Sequence, residues 1–160
     1  MGDNLSILND LFLEEGLIDP VKTASERFAQ GFSCSQAIFS AFASRFGLSD
    51  DLALKLSSPF GGGIARHGQV CGALTGALMV LGLQKGNVIP EDKENTYRIA
   101  GEFVRLFKER HGSILCNELI GYDISTSAGL QTAREKNLFT TICPALVKET
   151  TELLAEICIK

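Results

Sequence analysis

Val70-Cys71-Gly72-Ala73-Leu74-Thr75-Gly76-Ala77-Leu78-Met79-Val80-Leu81-Gly82-Leu83-Gln84-Lys85 is the stretch on which the fold turns. It holds no proline and no charge before Lys85, and it is apolar nearly all round. A helix without a polar face belongs in the middle of a bundle. The uncharged run from Gly68 to Gln84 falls short of the ~20 residues a membrane span needs, and Gly72, Gly76 and Gly82 interrupt it. Gly72 and Gly76 stand four apart on one face, with Ala73 and Ala77 beside them. Side chains missing there let a neighbouring helix or a ligand approach the backbone.

Helical signals continue outward in both directions, and strand-like alternation is missing. Upstream, a first amphipathic segment runs from Ser6 to Glu15 and stops at Gly16. Pro20 opens a second helix that reaches Gly31. Ser33 caps a third, Cys34 to Phe46, ended by Gly47. A short helix follows from Ser49-Asp50-Asp51 to Ser57, and Pro59 breaks it. Gly61-Gly62-Gly63 then begins an irregular loop that ends near Gly68.

Downstream, Pro90-Glu91-Asp92 starts a long helix to His111, with Tyr97, Ala100, Phe103, Val104 and Phe107 on its inward face. Ser113 is positioned to cap a short helix through Leu119, closed by Gly121. The polar segment 122–140 predicts only a short helix around Leu130 to Glu135 within a flap or loose connection. Pro144 begins a terminal helix whose stripe is Leu146, Val147, Leu153, Leu154 and Ile157. No repeat or linker divides the 160 residues. The expectation is one all-α domain over 1–160, a bundle of about six to eight helices around a buried small-residue helix.

Composition narrows the function. Apolar residues at 45% and charged residues at 21% describe a chain that folds rather than a disordered one. A net charge of −4 disfavours a nucleic-acid surface, which needs a basic stripe. The start Met1-Gly2-Asp3-Asn4 shows no cationic lead into an apolar run, so a cytoplasmic protein is expected. No HExxH and no Gly-Lys-Ser/Thr ending of a phosphate loop occurs. No serine, histidine and carboxylate set suggests a hydrolase.

The cysteines are the chemical feature. There are five, an odd number that does not suit a disulfide framework. The gaps between them are 37, 45, 27 and 15 residues, so no CxxC exists, and any joint action requires the fold to gather them. Cys34 follows the cap Ser33. Cys71 and Cys116 lie in predicted first turns, and Cys143 precedes Pro144. Four of the five thus fall at helix N-termini, where free N–H groups and the helix dipole favour an anionic sulfur. Cys158, near the end of the last helix, is the exception.

Four pieces of sequence carry a family resemblance: Phe32-Ser33-Cys34-Ser35-Gln36-Ala37, the run Phe60 to Ala77, the run Phe107 to Gly121, and Cys143-Pro144-Ala145-Leu146-Val147. Cys71 to Gly76 matches a CGAxxG element. Together, over about residues 20–157, the chain resembles the redox-active family named C_GCAxxG_C_C for its motif order. The resemblance implies shared cysteines at Cys34, Cys71, Cys116 and Cys143 and a bacterial or archaeal setting near transporter or oxidoreductase genes. It also implies a bound prosthetic group such as an iron–sulfur cluster.

Three functions are therefore expected, in this order. The first is an electron-transfer protein whose four cysteines bind an iron–sulfur cluster or another metal. The second is a metal-free thiol–disulfide protein. The third is a non-enzymatic module with structural zinc on the same thiols. Gly61, Gly62, Gly63, Gly72 and Gly76 would bring backbone close to a bound group, and Arg66 would offset its negative charge. His67 is a candidate extra ligand or proton donor, and His111 reads as a cation at a helix end. The partner would be a redox protein or a small molecule. A homo-oligomer is compatible with the pattern, and neither nucleic acid nor a membrane span is expected.

Overall fold

A computed structural model describes residues 19–158. The amphipathic segment Ser6 to Glu15 lies outside the described residues. The helices are α1 (Pro20–Ala29), α2 (Cys34–Ala43), α3 (Asp50–Ser57), α4 (Gly72–Lys85), α5 (Lys93–His111), α6 (Cys116–Ile120), α7 (Ser127–Glu135), α8 (Leu138–Thr141) and α9 (Cys143–Cys158). Seven of them have eight residues or more. Among the described residues there is no strand, only an isolated antiparallel bridge between Val70 and Leu115. The all-α expectation is met, and no described helix is long and apolar enough to cross a membrane.

Local chemistry sets the helix starts. Asp19 accepts the Val21 N–H at 2.9 Å, with Pro20 as the first residue of α1. Ser33 and Gln36 form a reciprocal capping box at α2: Ser33 Oγ accepts the Gln36 N–H, and Gln36 Oε1 accepts the Ser33 N–H. Ser49 caps α3, accepting the Leu52 N–H at 3.3 Å.

The centre of the bundle is a pair of helices. α4 is central as its sequence predicts, but α2 is buried more completely, with eight of its ten residues inside. The two cross where α4 lacks side chains. A Cβ on Gly76 would stand 2.9 Å from the Ser35 carbonyl oxygen, and one on Gly72 would stand 3.2 Å from the Cys34 Cβ. Around this pair pack α1 and α9 on one side, α3 against α2, and α5 against α4. Ile38, Phe42, Leu74, Phe103, Phe107 and Leu154 are fully buried in the common core. Each such side chain contributes about 1.5–3 kcal/mol relative to exposure. Arg27 joins α1 to α3 through Asp50 at 2.5 Å.

Three sequence expectations change. Tyr97 is 64% exposed rather than core, because the first turns of α5 overhang the bundle and its burial begins with Phe103 and Phe107. The helix expected after Ser113 starts only at Cys116, because Leu115 is extended in the bridge to Val70 and the flanking Ile114 and Cys116 bond the backbone of Cys71 and Gln69. Segment 122–140 is neither loose nor one short helix. It folds as α7 and α8, and its Ile124 and Ala133 are buried with Cys116, Ile120 and Cys143 in a second cluster. His111 does end α5, but its ring packs against Phe107, tilted by 56° with ring centroids 4.5 Å apart. Burial holds its pKa below the usual histidine value, against the pull of Glu149, and so favours the neutral ring.

Candidate functional site

The site begins with the loop after Pro59. Residues 62–66 all have positive φ, between 48° and 68°, including the non-glycine Ile64, Ala65 and Arg66. A left-handed conformation costs an L-residue about 1–2 kcal/mol, and runs of it are rare. Backbone bonds hold the turn: Ala65 N–H donates to the Pro59 carbonyl at 2.8 Å, and Gln69 N–H donates to the Gly63 carbonyl at 2.9 Å. Gly63 is needed twice over. Its φ is +68°, and a Cβ there would stand 2.7 Å from the Cys116 Cβ and 2.6 Å from the Gln69 nitrogen. The loop therefore lies directly on Cys116.

The loop feeds the bridge, and the bridge sets two cysteines side by side. Cys71 N–H donates to the Ile114 carbonyl at 2.8 Å, and Cys116 N–H donates to the Gln69 carbonyl at 2.7 Å. From these paired segments the chain enters two helices: Cys71 is the N-cap of α4, and Cys116 is the first residue of α6. Asn117 secures the arrangement. Its N–H donates to the Gly68 carbonyl, and its side chain bonds Asp123 and the Ile124 N–H.

Cys34 and Cys143 are the first residues of α2 and α9. Their thiols adjoin, and hydrogen bonding between them is the largest influence on the pKa of each. All four cysteines border one cavity of about 900 Å³. Cys71, Cys116 and Cys143 are only 2%, 6% and 5% exposed, while Cys34 is enclosed by protein yet reachable from the cavity.

Electrostatics separates the four. The bond from Cys34 pulls the Cys143 pKa below the ordinary thiol value, against its burial. Cys34 is driven well above that value by the same bond, by burial, and by the neighbouring Cys143, Cys71 and Cys116. Burial pushes Cys71 up to about 11, although the Ala73 and Leu74 N–H groups at the start of α4 act the other way. Burial raises Cys116 to about 12. Helix N-termini alone thus do not make these thiols acidic: desolvation is the largest influence at Cys71 and Cys116, and hydrogen bonding with Cys143 is the largest at Cys34. Cys143 is the one whose thiolate is favoured.

Of the other candidate residues, Gly61, Gly62, Arg66 and Gly72 line the same cavity. Gly63 lies behind Cys116, and Gly76 sits at the α2–α4 crossing. His67 is exposed, with Nδ1 3.3 Å from the Ala65 carbonyl, and is not part of the cavity wall. Cys158 lies away from the site, at the end of α9, where its carbonyl accepts from Gln84 at 2.9 Å. Sequence reasoning missed Arg134 and Phe139, which line the cavity from α7 and α8. Only the amphipathic spacing within 127–135 signalled that this segment folds onto the site.

The donor set fits a thiolate-ligated group in chemistry and number. Its spacing is not that of a single ion, since no three described His, Cys, Asp or Glu side chains stand together as ligands of one metal.

The chain matches no curated protein and no solved structure. A family model described as "Putative redox-active protein (C_GCAxxG_C_C)" matches residues 32–157, which include all four cavity cysteines and the loop that carries Arg66. With most of its length covered, the chain belongs to this C_GCAxxG_C_C redox-active family.

Proposed function

We propose that Cys34, Cys71, Cys116 and Cys143 form one redox centre and that its reacting pair is Cys34–Cys143, cycling between dithiol and disulfide. What supports this reading is that the two thiols, on the first residues of α2 and α9, border one cavity and displace each other's pKa in opposite directions. Such a pair divides the labour of exchange. The Cys143 thiolate attacks a substrate disulfide, forming a mixed disulfide and expelling one thiolate. Cys34 then gives its proton to a departing thiolate and attacks the Cys143 sulfur. A second thiol leaves, and the Cys34–Cys143 disulfide closes. Two electrons pass from the protein to the substrate, and an external dithiol reverses the sequence.

Thiol counting and peptide mapping test this. Mild oxidation is expected to remove two free thiols and to yield the Cys34–Cys143 disulfide, in wild type and in Cys158→Ser alike. An unchanged thiol count, or a different pair, overturns the assignment.

A second reading is supported by a separate observation: all four cysteines, each at a helix start, face one cavity far larger than an ion. In it the four thiolates would hold an iron–sulfur cluster, which would supply one-electron transfer when bound. Anaerobic purification with iron, zinc and sulfide analysis tests it. Cys71→Ser and Cys116→Ser should lose iron and sulfide that Cys158→Ser retains. Equal retention in all three rules it out.

A further inference from the structure

The cavity wall has an unusual charge balance. Among the described residues, apart from the thiols, its only ionisable side chains are Arg66 and Arg134, and no described Asp, Glu or Lys lines it. This is notable in a chain of net charge −4. The two guanidiniums come from different elements, the left-handed loop and α7, and both are exposed at the cavity. Neither is paired with a carboxylate among the described residues. Phe28, Phe32 and Phe139 supply apolar wall between them. A volume of about 900 Å³ is that of a small-molecule site and more than disulfide exchange with a protein loop requires.

We propose that the cavity selects an anionic, low-molecular-weight disulfide or its thiol, with Arg66 and Arg134 binding the carboxylates while Cys143 meets the sulfur. The proposal rests on the reading of Cys34–Cys143 as the reacting pair. Unpaired arginines fit carboxylates in a bidentate fork, and a cleft lined by one sign of charge concentrates the opposite one. The third cavity feature, the left-handed run 62–66, has a use here. It places Gly62 and Ala65 on the cavity wall and carries Arg66 at its end.

Three disulfides of similar size separate the possibilities: dithiodiglycolate (anionic), 2-hydroxyethyl disulfide (neutral) and cystamine (cationic). The reduced full chain is mixed with each at low salt, and formation of the Cys34–Cys143 disulfide is followed by mapping. Each rate is divided by that of a small dithiol in solution, which removes intrinsic reactivity. The expected order is anionic, neutral, cationic, with a spread of roughly tenfold or more that shrinks in salt. Arg66→Gln and Arg134→Gln should each slow the anionic probe several-fold and leave the neutral one unchanged. If the arginines act only by stabilising the Cys143 thiolate, all three probes slow equally, and the proposal is overturned. A neutral probe as fast as the anionic one overturns it as well.

If none of the probes oxidises the pair, the dithiol reading fails, and anion binding is decided separately. Thiodiglycolate, which carries the same two carboxylates without a disulfide, should slow iodoacetamide modification of Cys143 in wild type and not in the two arginine variants. Absence of that protection rejects the anion site itself.

Discussion

Gly76→Ala tests how the site is held, because it loads the α2–α4 crossing without touching a sulfur. The new Cβ would stand 2.9 Å from the Ser35 carbonyl oxygen and 3.0 Å from the Ser35 Cα. Both are backbone atoms in the first turn of α2, one residue past Cys34, so the contact is relieved only by moving the helix. Overpacking of this kind costs about 1–3 kcal/mol. Alanine recovers up to ~1 kcal/mol over glycine through helix propensity, which leaves a net loss of roughly 0–2 kcal/mol. Gly82 is the control within the same helix: its Cβ would meet nothing within 4 Å, so Gly82→Ala should gain roughly 0.5–1 kcal/mol. Urea unfolding of both variants reads the difference, about 0.5–3 kcal/mol in total. A shift of α2 also moves Cys34 relative to Cys143, so closure of their disulfide should slow in Gly76→Ala and not in Gly82→Ala. Equal stability of the two variants would refute the argument that missing side chains set the distance between the helices.

Three further outcomes follow from the same geometry. Cys34→Ala removes the donor to Cys143, so the pH at which Cys143 reaches half-maximal alkylation should move upward; an unchanged profile means the bond does not set its acidity. Cys71 and Cys116 have folded pKa values raised to about 11 and about 12, from an ordinary 9.0. Their contribution to stability is therefore complete below pH 9 and is lost as pH rises toward the folded values, at ~1.4 kcal/mol per pH unit for each thiol. Denaturation between pH 9 and 11 should show this slope, reduced by one thiol's share in Cys71→Ala. Ala65→Gly relieves a left-handed strain of about 1–2 kcal/mol and gives back roughly 0.5–1 kcal/mol of chain entropy. It should leave the protein as stable as wild type or slightly more so, whereas Gly63→Ala, pressed against Cys116 and the Gln69 backbone, should be strongly destabilised. A loss of stability in Ala65→Gly would remove the strain argument.

The architecture was legible where it depends on local signals. Ser33 with Gln36, Pro20, Ser49 and the terminal glycines mark helix ends by their own chemistry, and the helices begin and end close to where these residues stand. Gly72 and Gly76 announced a close crossing, and α2 occupies it. What the local signals do not encode is pairing between distant segments. The Val70–Leu115 bridge delays α6 past Ser113, and nothing within 113–116 reports an extended partner 45 residues away. The same holds for Arg134, which reaches the cavity only because Ile124 and Ala133 pack beside Cys116 and Cys143. The order of thiol acidities was not readable either. A helix N-terminus is visible in sequence, but the burial that outweighs it is a property of the assembled core.

The two chemistries proposed for the centre make opposing demands on Cys34 and Cys143. The dithiol reading needs a proton between them, with Cys34 as donor and Cys143 as acceptor. A thiolate-bound cluster needs that proton gone, since every ligand must be anionic, and its uptake therefore releases protons and is favoured as pH rises. The buried positions of Cys71 and Cys116 add to this cost, because both thiols are held protonated to about 11 and about 12. Closure of the Cys34–Cys143 disulfide takes two sulfurs out of the donor set and leaves Cys71 and Cys116, half of what a four-cysteine cluster requires. On a single molecule the disulfide and a four-thiolate cluster therefore exclude each other, so oxidised protein should not accept iron and sulfide until the pair is reduced.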